Sequence, residues 1–189
     1  MFELYKELKS KLKGAKRVAF MGVGEEKLSD DGVGPYIISE LLSYSDNNFL
    51  FINAGVTPMS RIDEIIEFQA TNLVLLDTCN LKKPPGTVAL IEREQIKEFV
   101  PISTHTIPLH IVVDLLLDKL PGLNVFMIGF VPKSLEGFKE LIFYKQDQFT
   151  LDERNENQDL PFFEFQLTET IRKAANQIIE IIKKIILDD

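Results

Sequence analysis

The sequence predicts an α/β domain in three layers, a mainly parallel twisted sheet of about five strands flanked by helices. Two observations predict it. Short apolar runs of strand length alternate with stretches of helical periodicity, and the runs close in glycine, asparagine or proline turns. The length of 189 residues suits a single domain over 1–189, large enough to bury a core without disulfide or structural metal.

The elements follow in order. Phe2, Tyr5, Leu8 and Leu12 recur at helical spacing and Gly14 stands at a C-cap position, so 2–13 reads as an amphipathic helix. Arg17 to Met21 is a compact apolar run ending in Gly22-Val23-Gly24, a buried strand and its turn. Residues 33–45 return to helical spacing, with Ile37, Ile38, Leu41 and Leu42 on one face and Pro35 in a first turn that tolerates it. Residues 49–52 form a second strand closed by Asn53-Ala54-Gly55, 59–68 a helix, and 72–77 a third buried strand ending in Asp77. A Pro-Gly loop at 82–86 leads to a fourth strand at 87–91. Helices follow at 93–99 and 107–119, and a fifth strand at 124–131 stops at Pro132. Residues 144–160 are polar and acidic and read as a surface loop or insertion. A long helix then runs from about Phe165 to Leu187, with Ile171, Ala175, Ile178, Ile179 and Ile182 inward.

Composition narrows the function. A net charge of −8 disfavours nucleic acid as a partner, because phosphate binding needs clustered lysine and arginine. Cys79 is the single cysteine, so no internal disulfide and no cysteine-rich zinc site can form, which fits a reducing compartment. The opening residues are charged throughout, unlike a signal peptide, and no apolar run reaches membrane-spanning length. The expected location is the cytoplasm, without membrane insertion, and a monomer is the default state.

In parallel α/β sheets ligands bind beyond the C-terminal strand ends. Three features fall there: Asp30-Asp31 after the first strand, Asp77 at the end of the third, and Ser103-Thr104-His105 before a helix. Two carboxylates and an imidazole on one edge would suit a divalent metal such as nickel, zinc or ferrous iron. Each feature also has a plain structural role. Gly22-Val23-Gly24 could be a simple tight turn, since the third glycine of the dinucleotide fingerprint is missing. Asp30 or Asp31 could cap the following helix, Asp77 could bond loop amides, and His105 could be structural. His110 sits within the apolar run 107–117 and reads as a helix-face residue, and Cys79 as an inert thiol.

Taken together these pieces resemble a family. Gly22-Val23-Gly24-x-x-x-Leu28-x-Asp30-Asp31-Gly32-Val33-Gly34-Pro35 resembles the N-terminal signature of the hydrogenase maturation peptidases. Asn53-Ala54-Gly55 is similar to that family's second-strand ending, and Leu75-Leu76-Asp77 with Pro85-Gly86-Thr87 to its next block. Thr104-His105-x-x-Pro108-Leu109 and Ile128-Gly129-Phe130-Val131-Pro132 resemble its last two blocks, in family order across roughly 17–132. Three features depart from the pattern: Glu25 replaces the usual asparagine, the 144–160 stretch is longer, and the first helix is an extension.

The resemblance implies an endopeptidase that removes the C-terminal extension of the nickel-iron hydrogenase large-subunit precursor after nickel insertion. It implies that Asp31, Asp77 and His105 contact the metal and form the catalytic core, that the nickel is the substrate's own, and that no organic cofactor is used. The hydrolytic water would be activated by a carboxylate or by the metal. A metal-liganding carboxylate is a poor base, so Asp30 or a freed Asp31 also enters the reckoning, with Asp30 read as positional. The site residues are expected to be exposed, so that their substitution leaves the fold intact. Two other readings stand beside this one: a non-proteolytic nickel-binding maturation chaperone on the same scaffold, and a nucleotide-binding α/β module.

Overall fold

The computed structural model describes residues 2–99, 107–136 and 167–188. The strands are β1 Val18–Val23, β2 Phe49–Gly55, β3 Asn72–Thr78, β4 Val88–Glu92 and β5 Asn124–Phe130. The helices among the described residues are α1 Phe2–Leu12, α2 Val33–Leu41, α3 Ile62–Phe68, α4 Arg93–Phe99, α5 Leu109–Lys119 and α6 Glu169–Asp188. One sheet holds all five strands in the order β2-β1-β3-β5-β4. Every neighbouring pair is parallel except β4 with β5.

Period-2 alternation divides the core into two faces. Val18, Phe20, Phe51, Val74, Leu76, Phe126 and Ile128 pack with Leu8 of α1, Ile37 and Ile38 of α2, and the isoleucines of α6. Ala19, Met21, Ile52, Leu73, Leu75, Val125 and Met127 pack on the other face with Ile65 of α3, Ile96 of α4, and Val112 and Leu116 of α5. The three layers expected from the apolar runs are therefore present. Every inward residue expected of the last helix is buried.

Several boundaries differ from the sequence reading, each for a local reason. β1 continues through Gly22, which pairs with Asn53 on one side and Leu76 on the other, so central pairing overrides the glycine turn signal. The stretches 33–45 and 59–68 each divide into an α-helix and a 3₁₀ turn, Leu42–Tyr44 and Pro58–Arg61. The last helix begins at Glu169, because the Thr168 hydroxyl accepts the Ile171 N–H at 3.4 Å and acts as its cap. Residues 144–160, and 165 and 166 of the expected helix start, lie outside the described residues. At the far end of α6, Asp188 accepts the Tyr5 hydroxyl at 3.0 Å and Lys9 Nζ at 3.1 Å, joining the first and last helices.

The connections set a switch point. From β1 the chain crosses by α2 on one face to β2, and from β2 by α3 on the other face to β3, beyond β1. Adjacent β1 and β3 thus send their following loops in opposite directions, leaving a crevice between their C-terminal ends. The start of α2 rests directly on this crevice. A Cβ on Gly34 would lie 2.2 Å from the Leu76 carbonyl oxygen and 2.5 Å from that of Val23. Gly22 faces it, with a hypothetical Cβ 2.4 Å from the Gly34 oxygen.

Backbone atoms cannot yield as a flexible side chain can. Gly34→Ala is therefore expected to destabilise the fold by about 3 kcal/mol, the upper end of ordinary overpacking. Urea denaturation followed by circular dichroism measures it, and an unchanged midpoint would show that α2 does not rest on the strands.

Candidate active site

Asp30 and Asp31 occupy a single 3₁₀ turn, Ser29–Gly32, between the end of β1 and the start of α2. Gly24 allows the entry to this loop: its φ is +132°, and a Cβ there would lie 1.9 Å from the Asp31 carbonyl oxygen. Neither aspartate caps a helix as the sequence suggested, since neither the turn nor α2 has a side-chain cap. Both carboxylates are instead drawn inward. The chain has 29 acidic residues. Those buried among the described residues are Asp30, Asp31 and Asp77, and all three lie at this edge.

The Asp31 carboxylate bridges two segments. Its Oδ2 accepts the Glu25 N–H at 2.8 Å and its Oδ1 accepts the Thr78 hydroxyl at 3.1 Å. Asp77, at the end of β3, accepts the Thr78 N–H at 2.7 Å, and its Oδ1 lies 3.5 Å from the same hydroxyl. A hydroxyl has one hydrogen to donate, so the shorter contact to Asp31 takes it. The two carboxylates thus converge on Thr78 Oγ1 at the switch point. They are 6% and 2% exposed, buried rather than exposed as the sequence reading held. Asparagine, which keeps their shape, is the appropriate replacement.

Asp30 is different. It is fully buried and its carboxylate accepts four donors: Lys133 N–H at 2.8 Å, Ser134 N–H at 2.9 Å, Thr168 N–H at 2.7 Å and the Thr168 hydroxyl at 3.0 Å. Oδ2 accepts three of these donors and Oδ1 one, and complete burial keeps water from the acceptor position that Oδ1 retains. Asp30 is structural, and the base function weighed for it does not fit.

His105 lies outside the described residues, and with it the 100–106 stretch. Its flanks do approach the edge: the Phe99 carbonyl accepts the Asn80 N–H at 2.9 Å, two residues past the end of β3, and Leu109 joins the buried cluster that holds Cys79. Among the described residues no group of three or more His, Cys, Asp or Glu side chains forms a metal site. His110 is the second residue of α5 and partly exposed, as its helix-face reading required.

Cys79 is packed rather than reactive. It is buried, its N–H donates to the Phe130 carbonyl at 2.8 Å, and a Cβ on Gly129 would meet its sulfur at 2.6 Å. Burial, and secondarily the charge of Asp77, push its thiol up to about 12. The glycine turn is equally committed. The Glu25 amide, which a phosphate would need, already serves Asp31, and a carboxylate stands where a phosphate would sit.

Sequence reasoning missed Thr78, Lys133, Ser134 and Thr168. Only Thr168 carries a signal, a threonine followed by glutamate at a helix start. Thr78 is an ordinary strand-end residue in sequence and acquires its role from the register of β3 beside the Asp31 loop.

The profile of the hydrogenase maturation protease family matches residues 35–142. A Methanocaldococcus jannaschii protein named as a hydrogenase maturation protease is 32% identical over 137 residues, spanning 68% of this chain and 80% of that protein. The hydrogenase 3 maturation protease of Escherichia coli is 26% identical over 125 residues, 64% of this chain and 80% of its own. A nickel-iron hydrogenase maturation protease from Thermococcus kodakarensis has the same fold, with a TM-score of 0.73 at 21% identity over 95% of this chain and 98% of that one.

In the native protein Cys79 is expected to react with an aromatic disulfide reagent at pH 8 only as fast as the chain unfolds, followed by absorbance. A rapid stoichiometric burst would contradict its burial. A raised thiol value favours the neutral form in the fold. This contribution to stability is complete below the unfolded thiol value and is lost as pH rises towards about 12.

Proposed function

We propose that this chain, which belongs to the hydrogenase maturation protease family, is the endopeptidase that removes a C-terminal extension from the precursor of a nickel-iron hydrogenase large subunit. The observation that carries the reading is the convergence of two buried carboxylates, Asp31 and Asp77, on one hydroxyl at the switch point of the sheet.

Asp31, Asp77 and His105 contact the nickel already inserted in the substrate. Two neighbouring buried carboxylates repel each other, and a divalent cation between them offsets that repulsion. Oxygen ligands from two aspartates and nitrogen from an imidazole suit nickel. Binding through the metal holds the precursor so that its scissile peptide lies beside the carboxylates, and proximity then lowers the barrier. A water oxygen attacks the scissile carbonyl carbon, the carbon–nitrogen bond breaks, and the proton lost by the water passes to the departing amine. Asp31, once freed from the metal, relays it, since Asp30 is fully buried and held by four donors out of reach of water. The protein acts in the cytoplasm as a monomer. The single cysteine supports this location, as does the finding that no helix among the described residues is long and apolar enough to cross a membrane.

The test is incubation with a nickel-loaded large-subunit precursor, read by mass spectrometry. The expected outcome is loss of a short C-terminal peptide, slowed at least ~100-fold by Asp31→Asn, Asp77→Asn or His105→Ala. Wild-type rates in all three variants would sink the site assignment. Nickel-free precursor is expected to resist cleavage, and its processing at the same rate would rule out recognition through the metal. Nickel-dependent binding of the precursor without cleavage would favour the chaperone reading.

A further inference from the structure

We propose that Asp30 is a positioning residue of this site: its buried carboxylate fastens the turn carrying Asp31 to the chain beyond β5 and to the start of α6. The role rests on the reading of Asp31 as a site residue.

The Ser29–Gly32 turn is too short to hold itself. A single 3₁₀ turn has poor hydrogen-bond geometry, and its first residue, Ser29, sits at φ 52°, a left-handed conformation that non-glycine residues adopt at a cost. External bonds must supply the restraint, and Asp30 gathers them. Its Oδ2 accepts the Lys133 and Ser134 amides and the Thr168 hydroxyl, and its Oδ1 accepts the Thr168 amide. The bond to Ser134 is reciprocal, because the Asp30 N–H donates to the Ser134 carbonyl at 3.1 Å. Two segments more than a hundred residues away in sequence are thereby tied to the turn. The next residue presents its carboxylate to Glu25 and Thr78. Rotation or displacement of the turn would draw Asp31 away from Thr78, and so away from Asp77.

The chemistry of the socket calls for a carboxylate. All four partners are donors. An amide in place of Asp30 would turn its NH2 towards the Thr168 N–H in one orientation, or towards two amides and the hydroxyl in the other. Either way a buried donor faces a donor. Asp30→Asn is therefore an almost isosteric change that loosens the turn. Thr168→Val is milder, removing the hydroxyl's bond to Asp30 together with its cap on α6, a loss that the Leu75 reading controls for, while Thr168→Ser keeps both.

The experiment follows amide hydrogen exchange by NMR in the full chain, alongside steady-state cleavage of nickel-loaded precursor well below the melting temperature. The Glu25 amide reports the place of Asp31 directly, and the Leu75 amide in central β3 reports global stability. Asp30→Asn is expected to speed exchange at Glu25 by at least ~10-fold beyond any change at Leu75. It is also expected to lower kcat by at least ~10-fold while KM stays within about twofold. Thr168→Val shifts both readings the same way by less, and Thr168→Ser behaves as wild type. Glu25 exchange that follows Leu75, or an unchanged kcat in folded Asp30→Asn, overturns the proposal. If Asp30→Asn does not fold, Thr168→Val decides by the same criteria. If wild-type protein leaves the precursor intact, the endopeptidase reading fails, and Glu25 exchange still judges the positioning role.

Discussion

The backbone contact between the start of α2 and the ends of β1 and β3 governs the edge where the three buried carboxylates lie. Gly22 and Gly34 bring a helix against two strands at a distance that excludes any side chain. With α2 seated there, the chain from Gly24 to Gly32 has little length in which to leave the sheet and return. That connection must fold over the crevice between β1 and β3, and it contains both Asp30 and Asp31. A close-packing constraint made of glycine thus decides where two charges go.

The three buried carboxylates then divide their roles by what surrounds them. Burying a charge is costly unless donors replace the lost water. Around Asp30 four donors do so, and the group becomes a fixed joint. Around Asp31 and Asp77 the described residues supply the Glu25 and Thr78 amides and the Thr78 hydroxyl, on which both carboxylates converge. Low polarizability at such a site strengthens every charge interaction within it. Adjacent residues in sequence, Asp30 and Asp31, therefore serve opposite ends: one holds, the other faces Asp77.

The fold was largely legible because sheet layers are written in period-2 and helical patterns, which act locally. The alternation of Phe20 and Met21, or Val74 and Leu75, between the two faces could be read directly. The reversed direction of β4 could not, since nothing in Val88–Glu92 distinguishes an antiparallel edge from a parallel one. At the site, the spacing of Asp31 and Asp77 after their strands was visible, but their burial was not, because it depends on α2 closing over them. The separation of Asp30 from Asp31 was also hidden. It comes from Lys133, Ser134 and Thr168, which no local pattern connects to residue 30.

The last helix has a geometric consequence. α6 starts at Glu169, just after its capping residue Thr168, which contacts Asp30, and ends at Asp188, bonded to Tyr5 and Lys9 of α1. Its 20 residues make a rod ~30 Å long. Asp188 and the α1 residues it binds are therefore moored together at the pole away from the crevice. A dye, an affinity handle or a tethered precursor attached through Asp188 would ride on that pole, leaving the crevice open to a bulky folded partner. The rod itself would serve as a built-in ruler between the two poles.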